Sequence, residues 1–181
     1  MHGCKMKERV QALQAVVREL VGPADMTGLE LMGRIRMVAN LYEAAANEQL
    51  RSAALSGPRF GLLLGLLADE KLAGGQGLSP THLSHFRNVS KNTISALLRG
   101  LEEQGLIERT LDPEDKRIFH IRLSEAGREL VRAVAPQHLA YMNDLAGSLT
   151  TAEQAQLLEL LTKLAQSLAH YHRHGRVIRD P

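Results

Sequence analysis

The chain has one cysteine, Cys4, no tryptophan, and aromatic residues at only 3% of its 181 positions. One thiol cannot close an intramolecular disulfide, so packing alone has to hold the fold, as suits a reducing compartment. No run approaches the roughly 18 consecutive apolar residues that a membrane span needs, and Met1 to Val10 carries charge where a secretory leader needs an apolar stretch. The expectation is a cytoplasmic protein without a membrane partner. There is no Gly-x-Ser-x-Gly elbow, no phosphate-cradling glycine loop and no paired-histidine zinc motif, so the sequence offers no catalytic site, no metal site and no cofactor. Neither sign of charge dominates either. Lys and Arg number 22 against 20 Asp and Glu, a net +2 that is too small to identify a nucleic-acid partner by itself.

What is present is 44% hydrophobic sequence, enough for a real core, arranged mostly at helical spacing. Leu13, Val16, Val17, Leu20 and Val21 recur in a helix that Gly22-Pro23 ends. Leu31, Ile35, Val38, Leu41, Tyr42 and Ala45 mark a long amphipathic helix through Leu50, and Ser56-Gly57-Pro58 reads as a turn. Phe60, Leu62, Leu63, Leu64, Leu66 and Leu67 are too dense for one stripe and predict a mostly buried helix ending before Gly74-Gly75.

Leu78 to Thr81 then reads as a short extended piece entering a helix that Ser79 or Thr81 can cap, running to about Arg87. Ser90 can cap the next helix, from Lys91 to about Gln104, with one stripe of Ile94, Leu97, Leu98 and Leu101 and a left-handed stop at Gly105. Beyond it the period becomes two. Leu106 to Thr110 and Ile118 to Leu123 predict a hairpin, the second strand alternating Phe119, Ile121 and Leu123 against His120 and Arg122, with Asp112 to Lys116 as the turn. Ser124 can cap a helix reaching about Leu149, with Pro136 as a possible kink, and Thr150 or Thr151 begins a last helix striped by Leu157, Leu161, Leu164 and Leu168.

Two short helices across a tight turn make a helix-turn-helix, whose second helix enters the major groove of duplex DNA. With Ile94 inward, Asn92, Ser95, Ala96 and Arg99 face outward and Lys91 and Thr93 flank them. Asn pairs with adenine and Arg with guanine in two-bond geometry, and Ser or Thr reaches bases or phosphates. From Leu78 through Leu101 there is no Asp or Glu, while Arg87, Lys91 and Arg99 are present. Carboxylates there would repel the phosphate backbone. The blander alternative is a basic helical hairpin that merely packs. The hairpin adds a wing whose basic tip, Lys116 and Arg117, can enter a minor groove, with Asp115 able to orient the arginine.

The segment Val89 to Ser95, Gln104-Gly105-Leu106-Ile107-Glu108-Arg109, Asp112-Pro113-Glu114-Asp115-Lys116-Arg117 and Leu123-Ser124-Glu125-Ala126-Gly127 resembles the MarR family of bacterial and archaeal regulators. The resemblance implies a mostly helical winged helix-turn-helix with a small β-hairpin, and a homodimer whose N- and C-terminal helices interlock over a pseudo-palindromic operator. It implies a transcription regulator, usually a repressor, and places the family's wing aspartate and arginine at Asp115 and Arg117. The expected organisation is N-terminal dimerisation helices in 1–55, the DNA-binding domain in 56–130, C-terminal dimerisation helices in 131–175 and a tail in 176–181. The expected DNA contacts are Ser79, Thr81, Ser90, Lys91, Asn92, Thr93, Ser95, Arg99, Asp115, Lys116 and Arg117. The stripes outside the winged domain ask for a partner, the alternative being that these helices fold back on their own core.

Other signals are weaker. Relatives of the family often take a small aromatic acid, and Arg34, Arg36, Tyr42 and Arg59 could meet an anionic or aromatic effector, but nothing in the sequence identifies that pocket. Cys4 lacks a strong activating neighbour, His170, His172 and His174 read as a solvated basic tail, and His82 and His85 flank the reading surface. A winged helix used purely as a protein-interaction module would have an apolar or acidic reading face, unlike Asn92, Ser95 and Arg99.

Overall fold

A computed structural model of the chain describes residues 12, 15–22, 25–72, 74–87, 89–112 and 119–174, with the side chains of 172–174 set aside. Residues 15–21 are helical and stop at Gly22, which takes the left-handed φ of 76° that glycine allows without a Cβ clash. Then come α1 (Thr27–Leu50), a 3₁₀ turn (Arg51–Ala53), α2 (Gly57–Leu72), α3 (Pro80–Arg87) and α4 (Lys91–Glu103). Strands β1 (Ile107–Leu111) and β2 (Phe119–Leu123) follow, then α5 (Glu125–Ala146) and α6 (Thr151–His174). The chain forms two compact units, divided after Gly127. Among the described residues no helix is long and apolar enough to cross a membrane.

Local chemistry sets the boundaries. Ser79 Oγ accepts from the His82 N–H at 3.2 Å and Pro80 occupies the first helical position of α3, where its missing N–H costs nothing. Ser90 Oγ accepts from the Thr93 N–H at 3.1 Å to start α4, and Gly105 at φ 69° ends that helix with the Leu106 N–H returning to the Leu101 carbonyl. Ser124 Oγ accepts from the Gly127 N–H at 3.0 Å at the head of α5. Thr150 and Glu153 form a reciprocal box before α6: Glu153 Oε2 accepts from the Thr150 N–H at 2.8 Å, and Thr150 Oγ1 accepts from the Glu153 N–H at 3.3 Å. The helix of Pro136 runs through it unbroken and ends three residues short of Leu149.

The core of the first unit is a layer of leucines between α2, α3, α4 and the hairpin. Phe60, Leu62, Leu63 and Leu66 of α2 are buried together with Leu83 of α3, Ile94, Leu98 and Leu101 of α4, and Leu106, Ile107, Ile121 and Leu123 of the hairpin. Burying each such side chain contributes about 1.5–3 kcal/mol. Ala46 and Leu50 at the end of α1 join the buried set. The dense apolar run of α2 is not buried all round, because Leu64 remains exposed.

The strands pair antiparallel with Ile107 opposite Leu123, Arg109 opposite Ile121 and Leu111 opposite Phe119. Leu78 adds a single bridge on the other side of β2, exchanging two backbone hydrogen bonds with Ile121 at 3.1 and 2.9 Å. Ile121 and Leu123 are inward as their alternation predicts. Phe119 is on the same face and yet exposed, as is its partner Leu111, because the hairpin runs on beyond the helices that would cover it.

Candidate nucleic-acid interface

The second helix of the helix-turn-helix carries one buried side and one open side. Ile94, Leu98, Gly100 and Leu101 are buried, Leu97 is half-buried, and Lys91, Asn92, Thr93, Ser95, Ala96 and Arg99 are exposed. The structure therefore gathers the expected reading residues onto one free face, as a 3.6-residue period requires. Their hydrogen-bonding states differ. Ser90 and Thr93 share a 2.8 Å hydroxyl–hydroxyl bond at the cap, and Ser95 Oγ donates to the Lys91 carbonyl at 2.9 Å, which leaves its lone pairs outward. Among the described residues, Lys91, Asn92 and Arg99 have no side-chain partner.

Ser79 is half-buried and engaged in its cap, while Thr81, the second residue of α3, is exposed and its carbonyl accepts from Ser84 Oγ at 3.1 Å. Asp115, Lys116 and Arg117 lie outside the described residues, as do Cys4 and the side chains of His172 and His174. His82 and His85 are exposed, and the His170 ring meets Tyr171 edge-on at 6.5 Å. Among the described residues no three His, Cys, Asp or Glu side chains are grouped to hold a metal ion. Of the residues weighed for an effector, Arg34 pairs with Glu30 at 2.6 Å, Arg36 and Tyr42 are exposed, and Arg59 leans against α4.

The base of the hairpin is tied on both faces. On the inner face Arg109 meets Glu102 of α4 at 2.8 Å, joining strand to recognition helix. On the outer face the two ring nitrogens of His120 face Asp112 Oδ2 at 2.7 Å and the Gly77 carbonyl at 3.3 Å, and Arg122 donates twice to the Gln76 carbonyl at 3.0 and 2.9 Å. His120 and Arg122 therefore hold the segment before α3 against the wing. Sequence reasoning set these two on the polar side of a strand without a role. One local hint was the Gly74-Gly75 and Gly77 cluster, where backbone can approach closely. A second hint was Gly100, since glycine in a helix interior costs about 0.5–1 kcal/mol relative to alanine. A Cβ there would collide with the Arg59 guanidinium.

Two helices across a turn followed by a tied hairpin define a winged helix-turn-helix. Residues 55–118 match the family model described as MarR family. Over 132 residues the chain is 28% identical to the transcriptional repressor MprA of Escherichia coli K12, covering 73% of each chain. It is also 28% identical over 145 residues to the HTH-type transcriptional repressor YetL of Bacillus subtilis, covering 80% of this chain and 84% of that one. The solved MepR–DNA complex of S. aureus superposes with a TM-score of 0.68 at 26% identity, covering 75% of this chain and 96% of that one. The chain is thus similar, in its winged segment, to the MarR family model, and both curated relatives are named as transcriptional repressors.

Proposed function

We propose that the protein is a cytoplasmic repressor that binds a pseudo-palindromic stretch of duplex DNA as a homodimer. The observation that carries this reading is the open face of α4. Lys91, Asn92 and Arg99 stand there without intramolecular partners among the described residues, in a stretch from Leu78 to Leu101 that holds no carboxylate. Asn92 and Arg99 suit two-bond contacts to base edges, and the capped N-terminus of α4 favours phosphate. Ser79, Thr81, Ser90, Thr93 and Ser95 complete the contact set, with Asp115, Lys116 and Arg117 of the wing for the minor groove. That MepR is solved with DNA supports the same reading.

Dimerisation through residues 1–55 and 131–175 is supported by apolar side chains left in the open. Val38 and Leu41 of α1 are 60% and 59% exposed, and Leu158 of α6 is 67% exposed. Isolated helices do not keep such stripes wet without a partner. Release by a small anionic or aromatic effector completes the proposal by resemblance to the family, with no residue set assigned to it.

Arg99→Ala tests the DNA face. It should relax base preference at one position of the site, at about 1–3 kcal/mol if the contact is bidentate. Arg117→Ala should weaken all sequences evenly and flatten the salt dependence. If neither substitution alters binding, the face is assigned wrongly.

A further inference from the structure

We infer that Arg59 is a DNA-backbone contact, presented to the flank of the recognition helix by the absence of a Cβ at Gly100. This rests on the DNA-binding reading and adds a residue that belongs to neither the helix-turn-helix nor the wing. Arg59 sits in the first turn of α2, where its N–H approaches Ser56 Oγ at 3.4 Å. From there its guanidinium crosses to α4 and lies against Gly100, so close that an alanine methyl would overlap Nη2. One turn further on, at the C-terminal cap of α4, Gln104 Nε2 donates to the Ala54 carbonyl at 3.1 Å, which holds the same flank to the segment leading into α2.

The position decides what the guanidinium can touch. Gly100 follows Ala96 by four residues, so it stands about 40° round the helix from an outward-facing position. It is itself buried, where Arg59 lies against it, and stands at the edge of the reading face, away from its centre. A helix about 10–12 Å across nearly fills a major groove about 12 Å wide, so rim side chains meet the phosphate walls and leave base edges to the centre.

The chemistry agrees with the position. Among the described residues no carboxylate or carbonyl is paired with the Arg59 guanidinium, although the residue is half-buried. Glu102, which could have reached toward a cation, is turned instead to Arg109. A partly desolvated guanidinium with unfilled donors, fixed in place by a glycine notch, suits a bidentate bond to a phosphate.

The test is binding of the full-length protein to a random-sequence duplex two helical turns long, titrated between about 50 and 200 mM salt. Arg59→Ala should lower the slope of log K against log salt by about 0.9 per protomer and weaken low-salt binding roughly tenfold. Arg59→Lys should keep the slope, because slope counts cations. Gly100→Ala displaces the guanidinium and should reproduce the Arg59→Ala loss, with no further loss when the two are combined. Thermal melts check that each variant is folded, and the two Arg59 variants carry the test if Gly100→Ala is not. A steep slope in the unsubstituted protein that Arg59→Ala leaves unchanged overturns the assignment alone. No salt-dependent binding by the unsubstituted protein overturns both the assignment and the reading beneath it.

Discussion

Gly77→Ala should loosen the wing where the segment before α3 is tied to it. Gly77 has φ 88°, and a Cβ there would stand 2.8 Å from Arg122 Cγ and 2.9 Å from the Ile121 carbonyl oxygen. A left-handed backbone costs a residue with a Cβ about 1–2 kcal/mol. The contacts add to this because neither neighbour is free to swing aside. The Ile121 carbonyl accepts from the Leu78 N–H at 3.1 Å, and the Arg122 guanidinium is engaged twice with the Gln76 carbonyl. Relief must lengthen at least one of these bonds, at about 1 kcal/mol. The total is about 2–3 kcal/mol. Gly74 supplies the internal control, since its φ is 82° and nothing lies within 4 Å of its Cβ position. Gly74→Ala should therefore cost only the conformational part, about 1–2 kcal/mol. Urea denaturation of both variants, followed by circular dichroism, measures the difference. Equal losses in the two would refute the idea that close packing at Gly77 ties the wing.

Smaller effects are expected elsewhere. Ser90→Ala removes the cap of α4 and should cost about 1 kcal/mol in the same assay, while Ser90→Asp should retain most of the stability. Glu102 and Arg109 are 43% and 34% exposed, so a double-mutant cycle on the pair should return less than about 1 kcal/mol; a larger coupling would mean the bridge is better shielded than its exposure indicates. The Thr150 N–H and then its hydroxyl, both hydrogen-bonded to Glu153, hold that carboxyl below its ordinary value. Because the folded value is the lower one, the contribution to stability is complete above the unfolded glutamate value and fades as pH falls through the folded one. Thr150→Ala removes the hydroxyl bond but keeps the N–H bond, so an NMR titration should show Glu153 moving only part of the way back up, and an unmoved titration would remove the hydroxyl as a cause.

Most of the winged domain was legible because its signals are local. The Ile94, Leu98 and Leu101 stripe needs only the helical period, and Ser79, Ser90, Ser124 and Gly105 mark boundaries through bonds to residues a few positions away. Phe119 shows the limit of the same locality. Alternation says which face a side chain takes, whereas its cover depends on how far the strand outruns the helices. Likewise the stripes of α1 and α6 follow from spacing, but spacing does not say what they pack against. The Arg59 and Gly100 contact and the His120 bond to the Gly77 carbonyl join residues more than 40 positions apart. No local pattern encodes which flank of α4 meets α2.

The central claim is sequence-specific recognition of duplex DNA by the open face of α4. Its most direct test is to bind genomic fragments to the purified full-length protein at two salt concentrations and sequence what is retained. Enrichment of a pseudo-palindrome is expected, with retention falling steeply as salt rises. Retention without any enriched sequence at either salt would contradict it and leave the reading face without a reader's role.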